Sequence, residues 1–195
     1  MQEVTLKETA PEKAWTLLLN RVRFWTGAVL FLYLVMHLIN ITLGIITLEV
    51  METGRSWMQA AWRNPVGTLV LYGSFSIHVV FSLWSLYRRH YFRIPFSEAI
   101  QILLGLVIPL LIVGHIVGSR LAYEWFSTSD SYRRVILFFW ELRPDYGVRQ
   151  AVLLACAWIH GCIGLHYYLR LKPCYPRFVT QIFAMALLLP VLALI

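Results

Sequence analysis

Five stretches of this chain are apolar for long enough to cross a membrane, and no other property restricts its fold as much. They run roughly over residues 24–47, 65–87, 99–119, 148–170 and 177–195. At a helical rise of about 1.5 Å per residue, each reaches across ~30 Å of hydrocarbon. Inside lipid the backbone must satisfy its own polar groups, so only helices and closed barrels are admissible. A barrel needs many short alternating strands, and the sequence has no such pattern. The expected fold is an all-α membrane protein, a bundle of five transmembrane helices over residues 24–195. Composition fits that reading: 14% of residues are charged, against about 25% in a soluble domain.

Residues 1–23 form a separate segment that reads as cytoplasmic and amphipathic. Its charges are mixed (Glu3, Lys7, Glu8, Glu12, Lys13) and the apolar stretch that follows is long, which excludes a secretory signal peptide. Trp15 to Phe24 resembles a short interfacial lead-in, with Arg21 and Arg23 at the membrane face. Threading five spans from this end puts ten basic and four acidic residues on the N-terminal side, and seven basic and six acidic residues on the other. By the positive-inside rule the N-terminus is cytoplasmic. The formal net charge of +7 is thus a topology signal and not a footprint for nucleic acid.

Local punctuation marks the spans. Asn64-Pro65 opens the second, Ser97-Glu98 the third, Asp145 caps the fourth, and Pro176 stands near the start of the fifth. Pro109 and Pro190 fall inside spans, where neighbouring helices can accommodate them. Two connections on the far side, 48–64 and 120–147, are longer than turns, and Val135–Leu142 (VILFFWEL) suits an interfacial position. Cys156 and Cys162 lie within the fourth span and Cys174 at its exit, so no disulfide framework is expected. No internal repeat is evident. The fifth span ends without a polar flank at Ile195, which reads as a fragment with a sixth span and further sequence to follow.

Four of these spans carry one histidine each near mid-membrane: His37, His78, His115 and His160. A polar ring in hydrocarbon costs several kcal/mol unless something satisfies it, so an intramembrane His is a functional candidate by default. His78 lies ten residues before Arg88 and His160 ten before Arg170, both ~15 Å from the cytoplasmic edge. His37 lies fourteen past Arg23 and His115 seventeen past Glu98, ~21 and ~25 Å from that edge. The natural pairs are therefore His78 with His160 and His37 with His115. Two imidazoles facing each other across a bundle are what a haem iron takes as axial ligands, so the set points to two b-type haems.

Competing readings attach to each position. A single His could simply hydrogen-bond across helices, and zinc would want clustered ligands with nearby Cys or carboxylate. His166 matches no partner depth and could contact a haem propionate or border a quinone. Asn40, on the His37 face, could orient a ligand or bond to a neighbouring helix. Arg120 on one side, and Arg88 or Arg170 on the other, are candidate propionate partners, although snorkelling at helix ends explains them equally well.

The segments now reached carry a family likeness. HLINITLGIITLEVMETGR (37–55), LYRRHYFRIPFSEAIQILLGLVIP (86–109), HIVGSR (115–120), WIHGCIGLHYYLRL (158–171) and LLLPVLAL (187–194) together resemble the N-terminal di-haem b membrane domain of bacterial class III adenylate cyclases. That domain is itself similar to the cytochrome b subunits of succinate:quinone and fumarate:quinone oxidoreductases. The resemblance implies two haem b groups on His37, His78, His115 and His160. It also implies a multi-pass place in the bacterial inner membrane and a sensor or anchor role for quinone or redox state. The partner would be a cytosolic cyclase domain of the same chain, working as a homodimer. The family's sixth span, connecting helix and catalytic domain lie outside this chain, so any enzyme activity would belong to the parent protein. The alternatives are an electron-transferring oxidoreductase subunit and a haem-free anchor bundle.

Overall fold

In the computed structural model, residues 10–89 and 93–194 are described; the N-terminal charges Glu3, Lys7 and Glu8, and His90 in the basic loop, lie outside them. All regular structure among the described residues is helical. Five helical segments are long and apolar enough to cross a membrane: Lys13–Ile45, Pro65–Tyr87, Phe96–Phe126, Pro144–Leu169 and Tyr175–Leu194.

The first long helix, α1 (Ala10–Thr42), absorbs the amphipathic lead-in and the first span into one continuous rod, about 50 Å long. A 3-10 turn (Leu43–Ile45) ends it. The connection that follows is a helix rather than a loop: α2 (Leu48–Trp62) starts where the Thr47 hydroxyl accepts the Val50 N–H at 3.1 Å. Asn64 then caps α3 (Pro65–Tyr87) by accepting the Gly67 N–H at 2.8 Å, with Pro65 in the first turn, as its sequence pattern suggests.

Helix α4 (Phe96–Ile116) begins after Pro95 and runs on through a π-helical turn (Val117–Leu121) into α5 (Ala122–Phe126). The third span is therefore longer than expected from hydropathy. The extra turn begins two residues after His115, and the Ser119 hydroxyl donates to the His115 carbonyl at 2.6 Å, a side-chain intrusion of the kind that accompanies such bulges. Ser127, in the left-handed region at φ 50°, ends α5. After α6 (Tyr132–Leu137) and a second π turn, α7 (Pro144–Leu169) and α8 (Tyr175–Leu194) complete the bundle. Asp145 does not cap α7 from outside. It sits in the first turn and accepts from the Arg143 side chain at 2.7 and 2.9 Å.

Packing is dominated by two antiparallel pairs, α1 with α3 and α4 with α7; α8 lies against α1 and α7. A small apolar cluster of Leu38, Trp158 and Leu189 joins α1, α7 and α8, and the Trp158 indole donates to the Ala186 carbonyl at 2.7 Å. At the end away from the start of α1, polar side chains fasten the connections. Asp130 accepts from Arg55 and Gln59, each at 2.9 Å, and from Arg63. Glu52 accepts the Tyr132 backbone N–H at 2.6 Å.

The two pairs are related by a repeat that residue identities conceal. Arg23, Gly27 and His37 on α1 stand 78 positions before Gln101, Gly105 and His115 on α4. Arg23 and Gly27 meet the His78 ring as Gln101 and Gly105 meet that of His160. The recurrence is one of spacing at these three positions on α1 and α4; His78 and His160 on the partner helices are 82 apart.

Candidate functional site

Between the two helix pairs the interior is a cavity of about 2040 Å³, lined by all four histidines His37, His78, His115 and His160. Protein interiors otherwise pack as densely as organic crystals, and a pocket for a drug-sized ligand is at most ~1,000 Å³. Aliphatic and aromatic residues, Leu and Ile foremost, supply most of the cavity's walls.

The helices bring the rings together as His78 with His160, centroids 6.3 Å apart and planes at 90°, and His37 with His115, 6.2 Å apart at 58°. The first pair is called near, being closer to the start of α1, and the second far. A metal–imidazole bond is about 2 Å and the ring centre lies ~1.1 Å behind the nitrogen, so two imidazoles in line on one metal place their centroids roughly 6.3 Å apart. Both pairs have that separation. Among the described residues, no three of His, Cys, Asp or Glu gather closely enough to hold a metal as a cluster; the rings are disposed two by two.

In the near pair the second ring nitrogen is committed. His78 Nδ1 lies 3.0 Å from the Arg23 carbonyl and His160 Nδ1 2.9 Å from the Gln101 carbonyl. A carbonyl only accepts, so each Nδ1 carries a proton, and in the neutral ring the lone pair is then on Nε2. This is the outer-shell arrangement that orients an imidazole toward a metal. Glycine makes the approach possible. A Cβ on Gly27 would stand 2.8 Å from His78 Cε1, and one on Gly105 2.9 Å from His160 Cε1. These cradles fit a rigid, metal-directed ring, and the donor set of paired neutral imidazoles in an apolar cavity fits haem.

The far pair is held differently. Gln150 of α7 lines the cavity together with His115. His37 stacks parallel to Tyr33 at 6.0 Å, and Tyr33 meets Trp62 edge-on at 5.4 Å.

The remaining candidates divide. Arg120 lines the far mouth, reaching Glu124 at 3.2 Å, and Arg170 lines the near mouth, its guanidinium 4.7 Å from the Tyr167 ring centre. Arg88 is exposed and stands off the cavity wall, whereas its neighbour Arg89 lines it and pairs with Glu98. His166 is exposed, off the wall, and shares a 2.7 Å hydrogen bond with the Tyr175 hydroxyl. Asn40 is buried but turned from the cavity: its amide donates to the Tyr132 hydroxyl at 2.7 Å. Burial pushes that phenol up to about 12, against the lowering effect of the Asn40 bond, so Tyr132 stays a neutral acceptor.

Gly27, Gly105, Gln150, Trp62, Arg63 and Arg89 are site residues that hydropathy and charge counting pass over. The two glycines carry a usable signal, since each precedes a mid-span His by ten residues. No family model, characterised protein or solved structure matches the chain.

Proposed function

We propose that this chain is a di-haem b membrane domain, with His78 and His160 holding one iron and His37 and His115 the other. The observation that carries this reading is the pair of ring separations, 6.3 and 6.2 Å, inside one apolar cavity large enough for two macrocycles. Bound there, haem supplies one-electron chemistry at two levels of the bilayer. The protein's part is to fix the imidazole tautomers through the Arg23 and Gln101 carbonyls, exclude water with its apolar walls, and leave room with Gly27 and Gly105.

Positive charge at the N-terminal side supports a cytoplasmic N-terminus in a bacterial cell membrane. On the family resemblance, the domain reports quinone or membrane redox state to a cytosolic adenylate cyclase domain of the same polypeptide. Any such signal needs two bundle states with different affinity for the ligand. A second reading, the cytochrome b subunit of a succinate or fumarate:quinone oxidoreductase, is favoured by the stacking of both pairs in one continuous cavity, which suits electron passage from mouth to mouth. Coding sequence beyond this segment separates them: a cyclase domain supports the first, and adjacent flavoprotein and iron–sulfur subunits the second.

The reading is tested by potentiometric titration of the purified chain in lipid. Two one-electron transitions with b-type spectra, reducible by a quinol analogue, are expected. A preparation without haem absorbance would make the protein a haem-free bundle.

A further inference from the structure

Arg23 of α1 meets the cavity twice. Its backbone carbonyl lies 3.0 Å from His78 Nδ1 and accepts its proton. Its guanidinium donates to the Asn20 side chain at 3.2 Å, an accessible pair of which both members line the cavity. Arg21, two positions earlier and so on the opposite face of the helix, is exposed and stands off that wall. The charges along the wall are unbalanced. Arg23, Arg63, Arg89, Arg120 and Arg170 line it with a single carboxylate, Glu98. At the far end Arg63 and Arg120 have Asp130 and Glu124 as partners. At the near end Glu98 is taken by Arg89, and among the described residues no carboxylate pairs with Arg23 or Arg170. Charged groups at membrane depth are costly unless paired, so the near end of the cavity is built for an anion.

We propose that Arg23 binds a propionate of the haem held by His78 and His160. This inference rests on the haem reading above and adds which way that group is turned, its carboxylates toward the start of α1. Depth selects Arg23 among the arginines of that end. Gly27 marks the level of the His78 ring, and Arg23 lies one turn, ~6 Å, closer to the near mouth. Arg170 lies ten residues past His160, ~15 Å away. A propionate hangs from the edge of the macrocycle on two methylenes, which suits the shorter distance. Helical side chains lean toward the N-terminus, and the Arg23 guanidinium accordingly sits with Asn20, between the iron level and the mouth. The counterpart of Arg23 on α4, Gln101, provides the same carbonyl bond to His160 but no charge, so the anion is drawn to α1. One residue thus holds both the imidazole and the edge of the macrocycle, the first through its backbone and the second through its side chain. Substitution separates the two roles.

The test uses the full chain purified with its own haem. Wild type is compared with Arg23→Gln, Arg23→Lys, Arg170→Gln and, as a control off the cavity wall, Arg21→Gln. Resonance Raman reads the propionate bending band, potentiometry reads both haems, and haemochrome absorbance reads their number. Arg23→Gln should retain both haems, because the carbonyl that holds His78 stays. It should shift the band and lower the midpoint of one haem of the two, since a positive charge beside the reduced centre is lost. Arg23→Lys, which keeps the charge but not the fork, should shift the band and keep most of that midpoint. Arg170→Gln and Arg21→Gln should leave the band in place. The effect of Arg23→Gln should persist in a His115→Ala chain, which keeps the near haem, and vanish in a His78→Ala chain, which keeps the far one. Should Arg23→Gln fail to accumulate, the band of Arg23→Lys decides. A wild-type band in the Arg23 variants overturns the proposal, as does a band shift in Arg170→Gln or an Arg23→Gln effect that survives in the His78→Ala chain. A wild-type chain devoid of haem would instead defeat the haem reading itself.

Discussion

The two histidine pairs have the same ring separation but are built by different means. The near pair rests chiefly on backbone: His78 and His160 each lie on a glycine and bond to the carbonyl four residues before it, with the Thr26 hydroxyl also 3.4 Å from His78 Nδ1. The far pair has no such backbone contact among the described residues and has an aromatic neighbour instead, Tyr33 stacked against His37. Beyond it the repeat breaks down, α1 ending in a 3-10 turn and α4 continuing through a π turn. A main-chain carbonyl cannot be mutated away, so the near pair is robust to substitution except at its glycines. The far pair can be tuned one side chain at a time.

The largest effect expected is selective loss. His78→Ala or His160→Ala should remove one haem and spare the other, and His37→Ala or His115→Ala should do the reverse, read as haem per chain. Losses in any other combination would break the division into near and far. Gly27→Val or Gly105→Val should come next, driving the added side chain into the His78 or His160 ring and reducing the near haem to a minor fraction while the far haem persists. Tyr33→Ala, which removes the ring stacked on His37, should weaken the far haem alone; a chase with apomyoglobin measures it. Smallest is Tyr132→Phe, which leaves Asn40 without its acceptor. It should cost about 1–2 kcal/mol of stability in thermal unfolding and leave both haem spectra unchanged.

Much of this architecture can be read from residues. Apolar runs longer than hydrocarbon is thick define five spans, and counting residues from the charged edges sorts four histidines into two levels. The helix α2 escapes such reading because its signal is a Thr47 cap and an amphipathic face rather than hydropathy. The extension of the third span escapes it because a π turn after His115 depends on one Ser119 hydrogen bond. Arg89 and Arg88 are indistinguishable by charge; only the turn that ends α3 brings one to the cavity wall and leaves the other off it. Gly27 and Gly105 read as ordinary packing glycines until the rings facing them are seen. The repeat is hidden because it conserves spacing while the residue types between its fixed points differ.

The central claim is that two imidazole pairs each hold an iron, and counting haem on the purified chain tests it most directly. Pyridine haemochrome absorbance against protein mass should give two b-type haems per chain, and the spectrum of the untreated protein should show both six-coordinate and low-spin. One haem, none, or a five-coordinate high-spin species would contradict it.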